Sequence, residues 1–352
     1  MDESIQQTIQ ELYGVELSDV AQHYRGVQFT LKSNPEQKYI FKPAGRFAHR
    51  IVFTYACMAY LAERNFTQTE RYLVNPAGIP YVLVGTVPYI AVPIYRGREC
   101  SIEQLEEVCK SAEVLAELHQ ASVGFTHKQA LKVAVCHTSS EFQGQPYVRV
   151  EAGKMPGIFE KRWKELERFY RLAGKSVHPF DCAYCKMAED SIQRAQEVCR
   201  ILGSGVYQRA FAACMEQGAI CHKDFTAHNV LLCGGKAIVL NLDDCSIDLP
   251  ICDLANLVKR RMRKCGWKIE DALRVIAAYE QVRPLSSEER ILLHCMLAFP
   301  QKLWRVVNKY YNSKKTWCEK SCLQKLEEIQ GEEMAWQGFL EALDISYTKV
   351  YH

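Results

Sequence analysis

The segment Ile220-Cys-His-Lys-Asp-Phe-Thr-Ala-His-Asn229 constrains the fold of this chain more than any other. It leads into an apolar stretch, Val230-Leu-Leu232, and carries a His, an Asp and an Asn at fixed offsets. An Asp such as Asp224 accepts the proton of an attacking hydroxyl, and an Asn five residues later, Asn229, turns its amide oxygen toward a Mg²⁺ ion. The pattern predicts a kinase-like catalytic loop braced by His222. A solvated turn with a capping Asp is the alternative.

A metal site should follow this loop, where the apolar run 237–243 closes. The transferred phosphoryl group needs cations to offset its charge, and a carboxylate at the end of the strand normally holds them. This strand ends instead in Asn241, an amide without negative charge. In an extended backbone Asp243 lies on the same side, so Asn229, Asn241 and Asp243 are the candidate metal ligands. Further along, Asp253 should cap the next helix and hydrogen-bond the catalytic loop, which is a structural role.

Two candidate cofactor-binding residues lie near the N-terminus. Lys42 closes the apolar segment Tyr39-Ile-Phe-Lys42, where a kinase-like lobe needs a cation for the α- and β-phosphates. The predicted helix at 46–64 contains no acid up to residue 62 to anchor this lysine, and Glu63, near its end, should point away. Gly26 is a single glycine where a phosphate loop should carry several. An edge-strand lysine and an ordinary hairpin turn are the structural alternatives.

The order of the predicted elements indicates an α+β fold. Up to residue 95 the patterns run β-β-α-β-β, with one strand expected at 71–74. Beyond that point helical patterns dominate, including one helix expected at 287–311. We therefore predict a two-lobed protein-kinase-like fold with a small β-rich N-lobe at 1–95 and a larger helical C-lobe at 96–352. An insert or connecting elbow is expected at 136–180.

The composition is that of a soluble globular chain, because 48% of its 352 residues are hydrophobic and 24% are charged. A formal charge of +3 does not by itself imply nucleic acid. Basic residues cluster in Lys259-Arg-Arg-Met-Arg-Lys264 and at 302–315. Solvated helix faces explain both clusters, and contact with an acidic partner or a phosphorylated ligand is the alternative.

An acidic N-terminus and the prolines within 79–95 predict synthesis in the cytoplasm without membrane insertion.

Sixteen cysteines are many for such a chain, and most should be reduced thiols in the cytoplasm. The pairs Cys182/Cys185 and Cys318/Cys322 have spacings that a zinc site could use, but no His pair completes either of them. Thiols packed as small hydrophobic side chains are the default interpretation. A metal or redox protein built on these pairs is an alternative, and so is later oxidation or cross-linking.

The chain resembles the CotS-type spore coat proteins, a branch of the aminoglycoside phosphotransferase and choline kinase superfamily. The resemblance runs from about residue 12 to residue 341. It rests on four matching segments, which are Arg98-Glu-Cys-Ser101 with the helix that carries Leu115-Ala-Glu-Leu-His119, the loop from His222 to Asn229, Asp248-Leu-Pro-Ile-Cys-Asp253, and Phe299-Pro-Gln-Lys-Leu-Trp-Arg-Val-Val-Asn-Lys-Tyr-Tyr-Asn-Ser313. The last segment is the most specific.

This resemblance implies a protein made in the mother-cell cytoplasm of a sporulating bacterium and then assembled into the spore coat with other coat proteins. Members of the group usually carry an Asp where this chain has Asn241, with Asp243 matching their second acid. We therefore expect a non-catalytic or weakly active protein with a kinase-like fold. The alternative is an ATP- and Mg-dependent phosphotransferase that acts on a small-molecule hydroxyl. Coat assembly would also give the cysteines a use in cross-linking.

Overall fold

The computed structural model describes residues 3–45, 47–136, 147–312 and 318–350. The described residues fall into two compact units. The first comprises those of Met1–Glu151, Cys214–Asp253 and Ala277–Arg283, and the second comprises those of Ala152–Ala213, Leu254–Ile276 and Pro284–His352. The lobe boundary at residue 95 stays a prediction. So does the insert at 136–180, of which residues 137–146 lie outside the described residues.

The strands belong to the first unit, and the helices are shared between the two units. The strands are β1 (Leu17–His23), β2 (Gly26–Leu31), β3 (Asn34–Pro43), β4 (Val82–Val84), β5 (Val87–Ile94), β6 (Arg98–Glu99), β7 (Ile220–Cys221), β8 (Val230–Cys233), β9 (Lys236–Val239) and β10 (Ser246–Ile247). The helices are α1 (Glu3–Tyr13), α2 (Ala48–Glu63), α3 (Leu105–Ala121), α4 (His127–Cys136), α5 (Met155–Ala173), α6 (Pro179–Ile201), α7 (Tyr207–Gln217), α8 (Ile251–Cys265), α9 (Ile269–Glu280), α10 (Ser287–Ala298), α11 (Gln301–Asn312) and α12 (Cys318–Val350).

The first unit is built on a five-stranded antiparallel sheet in the order β1-β2-β3-β5-β4. One face of this sheet is apolar and packs against α1, where Ile9 and Tyr13 meet Phe29 and Phe41. Because side chains alternate along a strand, Lys42 lies on the face opposite Phe41. The sheet thus presents the predicted phosphate-binding lysine away from the α1 core.

Two small sheets carry the predicted catalytic loop. β6, β8 and β9 form one antiparallel sheet, and β7 pairs with β10 in the other. The loop lies between β7 and β8, and each end of it is therefore fixed by a short strand.

The second unit is helical. Buried apolar side chains of α5, α6, α11 and α12 form one core, which includes Leu166, Phe169, Tyr184, Leu303 and Leu326. None of the described helices has both the length and the apolar composition needed to cross a membrane.

Two local predictions are wrong. The helix expected at 287–311 is two helices, because Phe299 is extended (ψ 129°) and Pro300 has no N–H to continue α10. The strand expected at 71–74 is an irregular segment, although the Leu73 N–H still donates to the Ala91 carbonyl at 2.9 Å.

The cysteine pairs do not converge on a metal site among the described side chains. Cys182 and Cys185 lie in the first turns of α6 and Cys322 lies in α12, all as free thiols. The side chain of Cys318 lies outside the described residues. The zinc hypothesis for these pairs stays a prediction without structural support.

Gly26 is required by the close approach of β2 to β3. A Cβ at this position would lie 2.2 Å from the Phe41 carbonyl oxygen, and the φ of 152° is one that L-residues rarely adopt. We expect Gly26→Ala to lower the free energy of unfolding by about 3 kcal/mol through overpacking and backbone strain. The matched control is Gly85→Ala, because Gly85 also has positive φ but no atom within 4 Å of its added Cβ. Urea denaturation should show a cost of only about 1 kcal/mol there, and equal costs would contradict the steric argument.

Candidate nucleotide and catalytic site

A buried carboxylate, Asp253 at the start of α8, holds the predicted catalytic loop. It accepts the backbone N–H of His222 at 2.6 Å and that of Lys223 at 2.9 Å. Burial alone would raise the pKa of Asp253, but the hydrogen bond and charge of His119 lower it below its ordinary value. The ionised carboxylate is therefore stable in this position. The hydrogen bonds expected from Asp253 to the loop are confirmed, and Asp253 lies within the first turn of α8 rather than at its cap. The supporting contact of His119 was not predicted.

His222 braces the loop through both ring nitrogens. Its Nε2 lies 2.8 Å from the Leu240 carbonyl oxygen, which only accepts, so Nε2 carries the proton. Its Nδ1 accepts the backbone N–H of Asp224 at 3.2 Å. With both nitrogens engaged and the side chain fully buried, His222 positions the loop and leaves Asp224 as the candidate base.

Asp224 and Asn229 lie together as the sequence predicts. The Asn229 Nδ2 donates to the Asp224 carbonyl oxygen at 2.8 Å and lies 3.5 Å from Oδ2 of the same residue. This bond orients the amide and leaves Oδ1 as the side-chain oxygen that could face a metal. The Asn229 carbonyl also accepts the N–H of Leu240 at 2.8 Å, which links the loop to the segment that leads to Asn241.

Asn241 has left-handed backbone geometry, with φ 62° and ψ 53°. β9 ends at Val239, and a 3₁₀ turn, Leu242–Asp244, follows Asn241 directly. The extended backbone assumed in the sequence analysis is therefore wrong, and strand alternation does not determine where Asp243 points. Asn is one of the few residues besides Gly that tolerate this conformation at low cost.

Glu70 is the site residue that the sequence analysis missed. It is buried, and its Oε1 accepts the backbone N–H of Asn241 at 2.8 Å. Its pKa is raised to about 7, mainly by burial. The hydrogen bond from Asn241 and the charge of Lys42 oppose the rise, whereas the charge of Asp243 adds to it. The charge of Lys42 thus acts on Glu70, although the two side chains form no ion pair within 4.0 Å. Glu70 lies in the segment after α2, and nothing in the sequence marks it except that an acid closely precedes the apolar stretch 72–74.

The two acids after Asn241 already interact with side chains of the same unit. Tyr72 donates its hydroxyl to Asp243 Oδ1 at 2.8 Å. Asp244 Oδ1 lies 3.4 Å from the Arg50 guanidinium and 3.2 Å from that of Arg149. The structure therefore groups Lys42, Asn241 and Asp243 around Glu70, and links this group to the catalytic loop through Leu240.

Gly26 lies beside this group. Its missing Cβ would sit 3.2 Å from the Lys42 Cβ, because Gly26 begins β2, which pairs with β3. Steric need accounts for the glycine, and its role in phosphate binding stays a prediction.

The sheet, the anchored loop and the residues around Lys42 define a kinase-like phosphotransferase fold, which confirms the predicted fold class. An aminoglycoside phosphotransferase from Alicyclobacillus acidocaldarius subsp. acidocaldarius DSM 446 matches with a TM-score of 0.78 and 18% identity, over 98% of this chain and 97% of that chain. The spectinomycin phosphotransferase APH(9)-Ia, solved with ADP and spectinomycin, matches with a TM-score of 0.57 and 10% identity, over 98% of each chain.

The chain belongs to the family described as "Spore coat putative kinase YutH", which it matches over residues 6–343. Spore coat protein S of Bacillus subtilis (strain 168) is 25% identical over 316 residues, which cover 88% of this chain and 85% of that protein. The endospore coat-associated protein YutH of the same strain is 23% identical over 325 residues, which cover 87% and 83% respectively. The resemblance to CotS-type coat proteins is confirmed.

The raised pKa of Glu70 gives stability a distinct pH dependence. The protein binds a proton at Glu70 that the unfolded chain has already lost, so this contribution is complete below the ordinary Glu pKa of 4.5 and is lost as the pH rises through about 7. We expect Glu70→Gln to remove up to about 3 kcal/mol of this decline between those pH values, as measured by urea denaturation. Glu63→Gln, at the exposed end of α2, is the control with the same charge change. Identical pH profiles for wild type and Glu70→Gln would contradict the assignment.

Proposed function

We propose that this protein is a spore coat component, a pseudokinase whose site supports little or no phosphoryl transfer. The single observation that carries the proposal is the amide of Asn241 at the position where a metal-binding carboxylate is needed. Family membership supports other coat proteins as its partners. It also supports synthesis in the mother-cell cytoplasm followed by incorporation into the spore coat.

The donor set does not fit a firmly bound Mg²⁺ ion. Two of the three candidate ligands, Asn229 and Asn241, are amides without charge. The third, Asp243, already accepts a hydrogen bond from Tyr72. Mg²⁺ loses its water reluctantly and is usually held by one or two carboxylates together with substrate phosphates. A single engaged carboxylate offers less attraction than that, and the site therefore supports at most weak, metal-poor nucleotide binding.

The intact loop is compatible with this proposal because its geometry comes from the protein itself. Asp253 and His222 fix the backbone around Asp224 through buried hydrogen bonds. These bonds stabilise the fold whether or not a nucleotide is bound. A coat protein can thus keep the kinase-like loop as a structural element.

Asn241→Asp tests the proposal directly. We expect wild type to bind ATP with little dependence on Mg²⁺, and the variant to gain at least about tenfold in affinity when Mg²⁺ is added, or about 1.4 kcal/mol, because a carboxylate is restored. Calorimetric titration with and without Mg²⁺ measures both. The control is Asn65→Asp, since Asn65 has the same φ of 62° and is exposed. Strong Mg-dependent ATP binding and turnover by wild type would overturn the proposal.

The alternative function is an ATP- and Mg-dependent hydroxyl phosphotransferase, and the preserved pairing of Asp224 with Asn229 favours it. In that case Asp224 would accept the hydroxyl proton and Asp243 would take over the charge lost at Asn241. Asp224→Ala and Asp243→Ala should then each abolish ATP consumption, whereas Asn241→Asp should change it little. A coupled assay of ADP release separates the two functions, because the pseudokinase shows no turnover for these substitutions to remove.

A further inference from the structure

The two basic segments singled out in the sequence meet within the second unit. The Lys259 ammonium, on α8, donates to the carbonyl oxygens of Met296 at 2.9 Å and Phe299 at 3.0 Å. These carbonyls end α10 and lead into α11. The N-terminal turn of α11, the part of the chain with the most family-specific sequence, is thereby tied to the basic helix α8.

A third helix brings another cation to the same place. Arg162, on α5, donates from Nη1 to Gln301 Oε1 at 2.6 Å, and its guanidinium carbon lies 4.3 Å from the centre of the Trp304 ring. Arg305 follows Gln301 by four residues and so lies on the same face of α11. Arg263 follows Lys259 by four residues on α8 in the same way.

Arg162, Lys259, Arg263 and Arg305 form a cationic cluster, called the cluster below. Their positive charges are not balanced by ion pairs. Among the described residues, no carboxylate lies within 4.0 Å of the charged groups of Arg162, Lys259, Arg263 or Arg305. The Nε of Arg263 is buried and has no acceptor among them.

Glu332 pairs with Lys302 at 3.0 Å. Glu165 accepts the indole N–H of Trp304 at 2.7 Å, and because that donor is uncharged Glu165 keeps its negative charge beside Arg162. One carboxylate does not offset four cations, and the cluster therefore retains a net positive charge.

The cations repel one another. Burial lowers the pKa of Lys259 well below its ordinary value, and the charges of Arg263 and Arg305 lower it further. Burial lowers the pKa of Arg263 to about 10, with Arg305 acting in the same direction and Glu332 opposing. Burial and Arg305 also lower the pKa of Arg162, with Glu165 opposing. Like charges held together in partly dry surroundings cost free energy that a bound anion would recover.

We propose that Arg162, Arg263 and Arg305, in the field of Lys259, bind a phosphate group, either free or as the monoester of a small molecule. Guanidinium groups match phosphate oxygens through paired N–H donors, and a dianion neutralises more of the excess charge than a carboxylate does. Arg305 is exposed, so the anion has access from solvent.

A cavity next to the cluster is a poorer place for the anion. Arg263 lines it together with Trp267, whose buried indole N–H has no acceptor among the described residues. Glu332 and Glu333 line the same cavity and are paired there with Lys302 and Arg194, so the acids and cations of this cavity already offset one another. Water suits that cavity better, and the phosphate is placed on the side of Arg305.

Calorimetric titration with inorganic phosphate and with glycerol 3-phosphate, at constant ionic strength in sodium chloride, tests the proposal. Wild type should bind one equivalent saturably, and Arg305→Gln and Arg263→Gln should each weaken binding at least about tenfold. The control is Arg171→Gln, which removes the same charge from an exposed residue of α5 that pairs with Glu167. Lys42→Ala should leave the affinity unchanged, which separates this site from the kinase-like one.

Thermal unfolding is the second test, because losing a surface charge outside the cluster would not change the midpoint in the way expected here. Without phosphate, Arg305→Gln should unfold at a higher temperature than wild type, because repulsion is relieved. Added phosphate should raise the midpoint of wild type and of Arg171→Gln, but not that of Arg305→Gln.

Three results would overturn the proposal. The first is no saturable binding of either probe up to about 10 mM, which corresponds to less than about 3 kcal/mol. The second is equal weakening by Arg305→Gln and Arg171→Gln. The third is binding of a phosphoserine peptide alone, which would assign the cluster to a protein partner. Tighter binding of glycerol 3-phosphate than of inorganic phosphate would support a monoester ligand, and equal binding would support the free ion.

Discussion

The buried Asp253 carboxylate is the interaction on which the rest of the site depends. Its two oxygens accept consecutive backbone N–H groups, and one of these belongs to Lys223, which has a φ of 71°. A non-glycine residue in that conformation costs about 1–2 kcal/mol, so the loop keeps its shape only because the surrounding bonds outweigh the strain. His119 supports Asp253 and is itself hydrogen-bonded to the Tyr279 hydroxyl. The loop geometry is therefore a property of the fold and persists independently of chemistry at the site.

Local sequence patterns were enough to predict the kinase-like loop, because its residues lie close together in the chain, and the order of the elements along the chain was enough to predict the α+β class. The contact of Asp253 with the loop, 30 and 31 residues away, was predicted from its place in a kinase-like lobe. Glu70 could not be found in this way, since its role depends on a backbone N–H 171 residues away. The turn at Asn241 was missed for a related reason, because an apolar run gives no sign of where its strand ends. The break at Pro300 follows from the sequence itself, because a proline cannot continue the hydrogen bonds of α10 even where apolar residues keep a helical spacing.

Electrostatics explain why an amide suits position 241 in a site without a strongly bound cation. Burial is the main cause of the raised pKa of Glu70, the charge of Asp243 adds to the rise, and the charge of Lys42 opposes it. A third carboxylate would add to the repulsion from Asp243 unless a divalent ion offset it. Asn241 keeps the left-handed turn and the backbone bond to Glu70 without that cost. The amide at position 241 is therefore consistent with the proposed pseudokinase.

The same reasoning gives the opposite conclusion for the second unit. Around Glu70, the neutral Asn241 and the cation Lys42 limit the repulsion between acids from within the protein. Around Arg305, the described residues provide no carboxylate partner, and the charge of Arg305 acts on cations from two other helices, Arg162 on α5 and Lys259 and Arg263 on α8. Proteins rarely keep partly buried like charges together unless something neutralises them. The group around Glu70 balances its own charge and needs no ligand for stability. The cationic cluster does not balance its charge, and binding of an anion from outside the chain best explains why it is kept.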